Sequence, residues 1–202
     1  MTTPAAGRAK IDPRRIGAIV IGASAGGVDA LSTLLPALQA QATVPVLIVL
    51  HLPREKPSLL ADIFAPKCAL PVHEAHDKEP VAPGTIYFAP PDYHLLVDRG
   101  PRHVPHLALS VDEPVNFSRP AIDVLFESAA EVYGECLLGI VLTGGNHDGA
   151  AGLAAVDQAG GQTIVQTPED AQLSYMPEAA LERLTPTAVM SLAQIAALLR
   201  SL

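Results

Sequence analysis

Short apolar runs rich in β-branched residues alternate along this chain with segments of helical period, and that alternation constrains its fold more than any other feature. Residues 17–21 (GAIVI) and 44–50 (TVPVLIVL without its first residue) show no inside/outside alternation, so they suit strands covered on both faces, as in parallel sheets wound by βα units. Over residues 26–40, Val28, Leu31, Leu34, Leu35 and Leu38 fall on one helical stripe. A second helix is expected to open at Pro57, turn Leu59, Leu60 and Ile63 inward, and stop at Pro66. After residue 119 the pattern resumes: a helix opened by Pro120 and carrying Ile122, Leu125 and Phe126, a strand over 137–142, a helix over 148–159 and a strand over 162–165. Pro177 starts a short helix, and Ser191 with Gln194 forms a capping box for a C-terminal one.

The stretch 69–116 differs. It is proline-rich, holds His73, His76, His94, His103 and His106, and offers only short strand candidates at 86–89 and 94–98. The expected fold class is therefore α/β, with a doubly wound, mostly parallel sheet flanked by helices and a middle segment rich in hairpins and loops. Residues 1–15, with Pro4, Pro13, Arg8, Lys10, Arg14 and Arg15, follow neither period and are read as a flexible tail; residues 16–202 are read as a single domain.

Composition excludes several function classes. Hydrophobic residues make up 49% and charged residues 17%, enough apolar material for a large core. No apolar run approaches the roughly 20 residues that span a bilayer, so membrane insertion is not expected. A net charge of −8 and the absence of tryptophan disfavour a nucleic-acid partner. The N-terminus has no apolar signal core, and Cys68 and Cys136 make no disulfide framework, which points to a cytoplasmic location.

In an open parallel sheet, reacting groups gather at the carboxyl ends of the strands. Ser24 follows the first strand within Gly22-Ala23-Ser24-Ala25-Gly26, His51 follows the second, and Asp148 lies in the turn after the strand at 137–142. If these strands are parallel, a nucleophile, a base and an acid share one edge. Flanking glycines permit a sharp turn that presents the Ser24 hydroxyl, and the Ala25 amide beside a helix N-terminus can donate to an oxyanion. A neutral His51 can take the serine proton, with Asp148 fixing its tautomer. The competing readings are a glycine-rich turn that only packs or cradles a phosphate, a loop histidine, and an aspartate that caps the following helix. A dinucleotide cofactor would call for an acidic residue at the end of the second strand, where His51 stands, so no cofactor is expected. His147, beside Asp148, is expected to be exposed. The pairs His73/His76 and His103/His106 lack the neighbours of a zinc site, so no metal is expected.

Six ordered motifs then carry a resemblance: Gly22 through Gly27, His51-Leu52-Pro53, Ala89 through Leu95, Arg119 through Phe126, Leu142-Thr143-Gly144 through Asp148-Gly149, and Gln166 through Ala180. Together they resemble the catalytic domain of CheB-type protein-glutamate methylesterases, from about residue 15 to the C-terminus. The resemblance implies hydrolysis of glutamyl methyl esters on chemoreceptor cytoplasmic helices, release of methanol, and deamidation of receptor glutamines. It places the nucleophile at Ser24, the base at His51 and the orienting acid at Asp148, and adds the Gly145 amide to that of Ala25 as an oxyanion donor. The family has Thr at Ala25, Gln-His-Met at Leu50-His51-Leu52 and Thr-Gly-Met-Gly at Thr143-Gly144-Gly145-Asn146. These departures keep two alternatives open: a receptor- or array-binding module with little turnover, and an esterase for another substrate. About fifteen residues precede the first strand, too few for the receiver domain common in the family, so regulation by a separate partner or a constitutively open site is expected. Arg54 and Lys56 beside His51 are candidate docking groups for the acidic receptor.

Overall fold

The computed structural model describes residues 10–52 and 58–202. Seven parallel strands form the central sheet: β1 (Ala18–Ala23), β2 (Val46–Leu50), β3 (Val72–Glu74), β4 (Ile86–Phe88), β7 (Leu137–Val141), β8 (Gln162–Gln166) and β9 (Ala188–Met190). Their spatial order is β3-β4-β2-β1-β7-β8-β9. The chain winds outward from β1 to one edge, returns, and winds from β7 to the other. Strand order thus reverses between β1 and β7. A separate antiparallel hairpin, β5 (His94–Arg99) with β6 (Pro105–Ser110), occupies the middle segment.

Side-chain alternation along each strand feeds two cores. Ile19, Ile21, Val46, Ile48, Leu138 and Ile140 face the layer of α1 (Gly27–Leu34), α2 (Leu60–Phe64) and α6 (Leu192–Leu199). Val20, Leu47, Val49, Leu137 and Val141 face α3 (Ile122–Tyr133), α4 (Ala150–Gln158), α5 (Tyr175–Arg183) and the apolar side of the hairpin. Both faces are covered, as the continuous apolar runs require.

Several expectations are corrected locally. α1 stops at Leu34 and tightens into a 3-10 turn over Leu35–Ala37, because Pro36 has no N–H to continue the ladder. Val28, at the first turn, remains 39% exposed. Leu60 and Phe64 are the inward residues of α2, while Leu59 and Ile63 are exposed. Pro57 lies outside the described residues. The middle segment contributes β3 and β4 to the parallel sheet as well as the hairpin. Residues 1–9 of the expected tail also lie outside the described residues, but the segment from Lys10 to Arg15 is docked: Ile11 is buried, and the Asp12 backbone exchanges two hydrogen bonds with the Gln162 amide. The Ser191–Gln194 capping box on α6 forms as its spacing requires.

Candidate active site

The strand register brings the candidate residues together at the winding reversal. Ala23 pairs with Leu50, so the next residues, Ser24 and His51, leave the sheet side by side, and the His51 N–H donates to the Ala23 carbonyl at 3.1 Å. On the other flank, the Ser24 N–H donates to the Thr143 carbonyl at 3.0 Å. The Thr143 hydroxyl donates toward the carbonyls of Ala25 (2.9 Å) and Leu173 (3.2 Å) and accepts from the Leu173 N–H, tying three loops at one buried point. Gly144 runs against Ser24 and Met176 so tightly that a Cβ there would lie 2.9 Å from Ser24 Cβ and collide with the Met176 sulfur. Gly26 reverses the chain into α1 with φ +81°, a conformation that side chains resist.

His51 Nε2 lies 2.9 Å from Asp148 Oδ2, with the imidazole 13% exposed and the carboxylate fully buried. Asp148 Oδ2 also accepts from the Ile122 N–H at 2.6 Å, while Oδ1 accepts from the Asn116 side chain at 2.9 Å and from the N–H groups of Asp123 and Gly149, each at 3.1 Å. Burial alone would push this carboxyl up. The His51, Ile122 and Asn116 hydrogen bonds outweigh burial and hold it below the usual carboxylate range. Asp123 behaves oppositely: burial raises its carboxyl, the neighbouring Asp148 charge adds to the effect, and hydrogen bonds from Gly152, Asn116 and Gly149 offset only part of it.

Ser24 is half-buried. Among the described residues, the N–H groups of Ala25 and Gly145 donate to no other group. Among the described residues, His73, His76, His103, His106 and His147 form no hydrogen bond with Ser24, His51 or Asp148. His147 is exposed and contacts Asn116 Oδ1 at 3.2 Å. His73, His76 and His103 are exposed, and His106 bonds the Val104 carbonyl. Among the described residues no cluster of three His, Cys, Asp or Glu side chains could hold a metal. Arg54 and Lys56 lie outside the described residues. A cleft of about 680 Å³ lined by Asn116, Asp123, His147, Ala150, Glu182 and Arg183 runs behind Asp148; Ser24 and His51 do not line it.

Two residues of the site carried no sequence signal of their role. Asn116 sits in a tight turn with φ +50°, and its amide bridges Asp123 (2.8 Å) and Asp148 (2.9 Å). His94 is buried, accepting from the Ala121 N–H and bonding the Glu113 carbonyl, which holds the loop carrying Asn116 against the start of α3. Pro120 near a helix start was the visible hint that backbone amides collect there.

A doubly wound parallel sheet with a serine, a histidine and a buried aspartate at its reversal point defines a class: α/β proteins whose reaction site lies at the strand ends. The family model described as CheB methylesterase matches residues 19–199. A candidate protein-glutamate methylesterase/protein-glutamine glutaminase of Leptospira interrogans is 44% identical over 181 residues, covering 90% of this chain and 92% of that protein. The protein-glutamate methylesterase/protein-glutamine glutaminase 2 of Caulobacter vibrioides is 38% identical over 180 residues, but the match covers 89% of this chain and only 52% of the relative. The crystal structure of the Thermotoga maritima CheB methylesterase catalytic domain superposes with a TM-score of 0.88 at 31% identity, over 92% of this chain and 98% of that one. This chain belongs to the CheB methylesterase family.

Proposed function

We propose that this chain is a serine esterase that hydrolyses glutamyl methyl esters on the cytoplasmic helices of chemoreceptors, releasing methanol. The observation that carries this reading is the 2.9 Å contact between His51 Nε2 and the buried Asp148, made where His51 emerges beside Ser24. With Nε2 committed to the carboxylate, Nδ1 is the nitrogen that takes the Ser24 proton. Ser24 Oγ attacks the ester carbonyl, the amides of Ala25 and Gly145 receive the developing oxyanion, and the imidazolium returns its proton to the leaving methoxide. Water then enters, again deprotonated by His51, and releases the glutamate. The same acyl-enzyme forms from a glutamine amide with ammonia as leaving group, in keeping with the glutaminase in the relatives' names. Neither step calls for a metal or cofactor. Cys68 and Cys136 are both free thiols, which supports a cytoplasmic setting, and among the described residues no helix is long and apolar enough to cross a membrane.

The decisive measurement is methanol release from methylated receptor membranes. Wild type is expected to release methanol and Ser24→Ala to release none above background. Turnover retained by Ser24→Ala overturns the nucleophile assignment. A wild type that neither releases methanol nor reacts with a fluorophosphonate would instead favour a binding module.

A further inference from the structure

Asn146 lies in the loop between β7 and α4, where the family motif quoted above has glycine. Its side-chain oxygen accepts the Asp148 N–H at 3.2 Å. A backbone N–H can only donate, so the amide oxygen faces Asp148 and the NH₂ group faces His51. Nδ2 lies 3.3 Å from His51 Nδ1. Because Nδ2 can only donate, Nδ1 must be the acceptor and the ring proton sits on Nε2, where Asp148 takes it. The lone pair engaged by Asn146 is therefore the one that must receive the Ser24 proton. Among the described residues no hydrogen bond joins Ser24 Oγ to His51.

We infer that Asn146 is a positioning residue that latches the general base at rest: it holds His51 in the neutral tautomer and must release Nδ1 before Ser24 can be deprotonated. The inference rests on the roles proposed above for Ser24, His51 and Asp148. Asn146 is not needed to orient the ring, since Asp148 already does so and is itself fixed by four other donors. The proton ledger also requires release. When the Ser24 O–H bond breaks and its proton forms the Nδ1–H bond, that N–H would face the Asn146 NH₂, donor against donor, so the amide must turn away. Nε2–H stays on Asp148 throughout. Among the described residues, the groups facing His51 are Ser24 from the β1 exit, Asn146 and Asp148 from the β7–α4 loop, and, behind Asp148, Asp123 from α3. A long, neutral hydrogen bond of this kind restrains the base by about three- to tenfold.

The test is the rate of fluorophosphonate labelling in mildly alkaline buffer, using the full chain. The probe reports Ser24 deprotonation and attack on phosphorus with fluoride leaving, so no proton need be delivered to a leaving group. Asn146→Ala should label about three- to tenfold faster than wild type, whereas loss of a merely structural contact would slow labelling or leave it unchanged. Asn146→Ser keeps an oxygen for the Asp148 N–H but is too short to reach Nδ1, and should show the same acceleration while preserving the turn. If both variants label no faster than wild type, the latch is overturned. If Ser24→Ala labels like wild type, the underlying site assignment fails instead.

Discussion

Among the described residues, five hydrogen bonds converge on the Asp148 carboxylate, and one of them comes from His51. The other four explain why the acid is fixed so rigidly, and why an isosteric change there should be severe. In Asp148→Asn the amide must present its NH₂ on one side. If it faces His51 and Ile122, the Ile122 N–H loses its acceptor and the imidazole is driven to the tautomer with hydrogen on Nδ1, useless toward Ser24. If it faces the other way, the Asn116 amide and the N–H groups of Asp123 and Gly149 meet a donor. The first orientation sacrifices fewer bonds, so esterase activity is expected to fall about 10⁴-fold, the scale of a wrong-tautomer defect. Each buried donor left unmatched also costs about 1–3 kcal/mol, so urea denaturation at neutral pH should show a clear loss of stability. A variant with near-normal rate would remove Asp148 from the mechanism.

At the scale of elements, neither α3 nor α4 has a side-chain cap of its own, since Ala121 and Gly149 hold the N-cap positions. Instead the two helices cap each other. Asp148, just before α4, accepts from the Ile122 and Asp123 amides of α3, while Asp123, in the first turn of α3, accepts from Gly149 (2.9 Å) and Gly152 (2.6 Å) of α4. Asn116 bridges the two carboxylates. Asp148 thus caps a helix, as aspartate before a helix start suggests, but its main cap is given to another helix, 26 residues earlier in the chain. Sequence could show that Asp148 follows a strand and precedes a helix. It could not show a reciprocal exchange whose partners are distant in sequence, nor the turn that delivers Asn116. Asp123→Ala should free the Gly152 amide, leave the Gly149 N–H with Asp148 Oδ1 alone and fray the start of α4, lowering stability by about 1–3 kcal/mol despite relieving repulsion from Asp148. Hydrogen exchange should then accelerate first at the Gly152 amide. Unchanged protection would mean that the exchange of caps is energetically idle.

For the whole molecule, the apolar runs before Ser24, His51 and Thr143 were enough to place three strand exits on one edge, because strands buried on both faces leave little choice but a parallel sheet. The order of the strands was not legible, nor were the three-residue β3 and β9, too short for a periodic signal, nor the docking of the segment around Ile11, where Asp12 bonds Gln162 150 residues away. The winding reversal also forces two carboxylates together at the end of the sheet, and their opposite displacements give a test of the assembled fold. Asp148 is held below its ordinary value, so its contribution is present above about pH 4 and is lost as the pH falls toward its folded value. Asp123 is raised, so the folded state retains its proton longer than the unfolded chain does; stability falls as pH rises from about 4 through that raised value, and the penalty is complete above it. Replacing Asp123 with Asn removes the second titration and leaves the first. Denaturation midpoints measured across the acid range should therefore decline more steeply above about pH 4 in wild type than in Asp123→Asn, while both lose stability below it. Parallel profiles above that point would mean that Asp123 ionises in the folded protein as freely as it does in the unfolded chain, and that the two charges are not opposed across the Asn116 bridge.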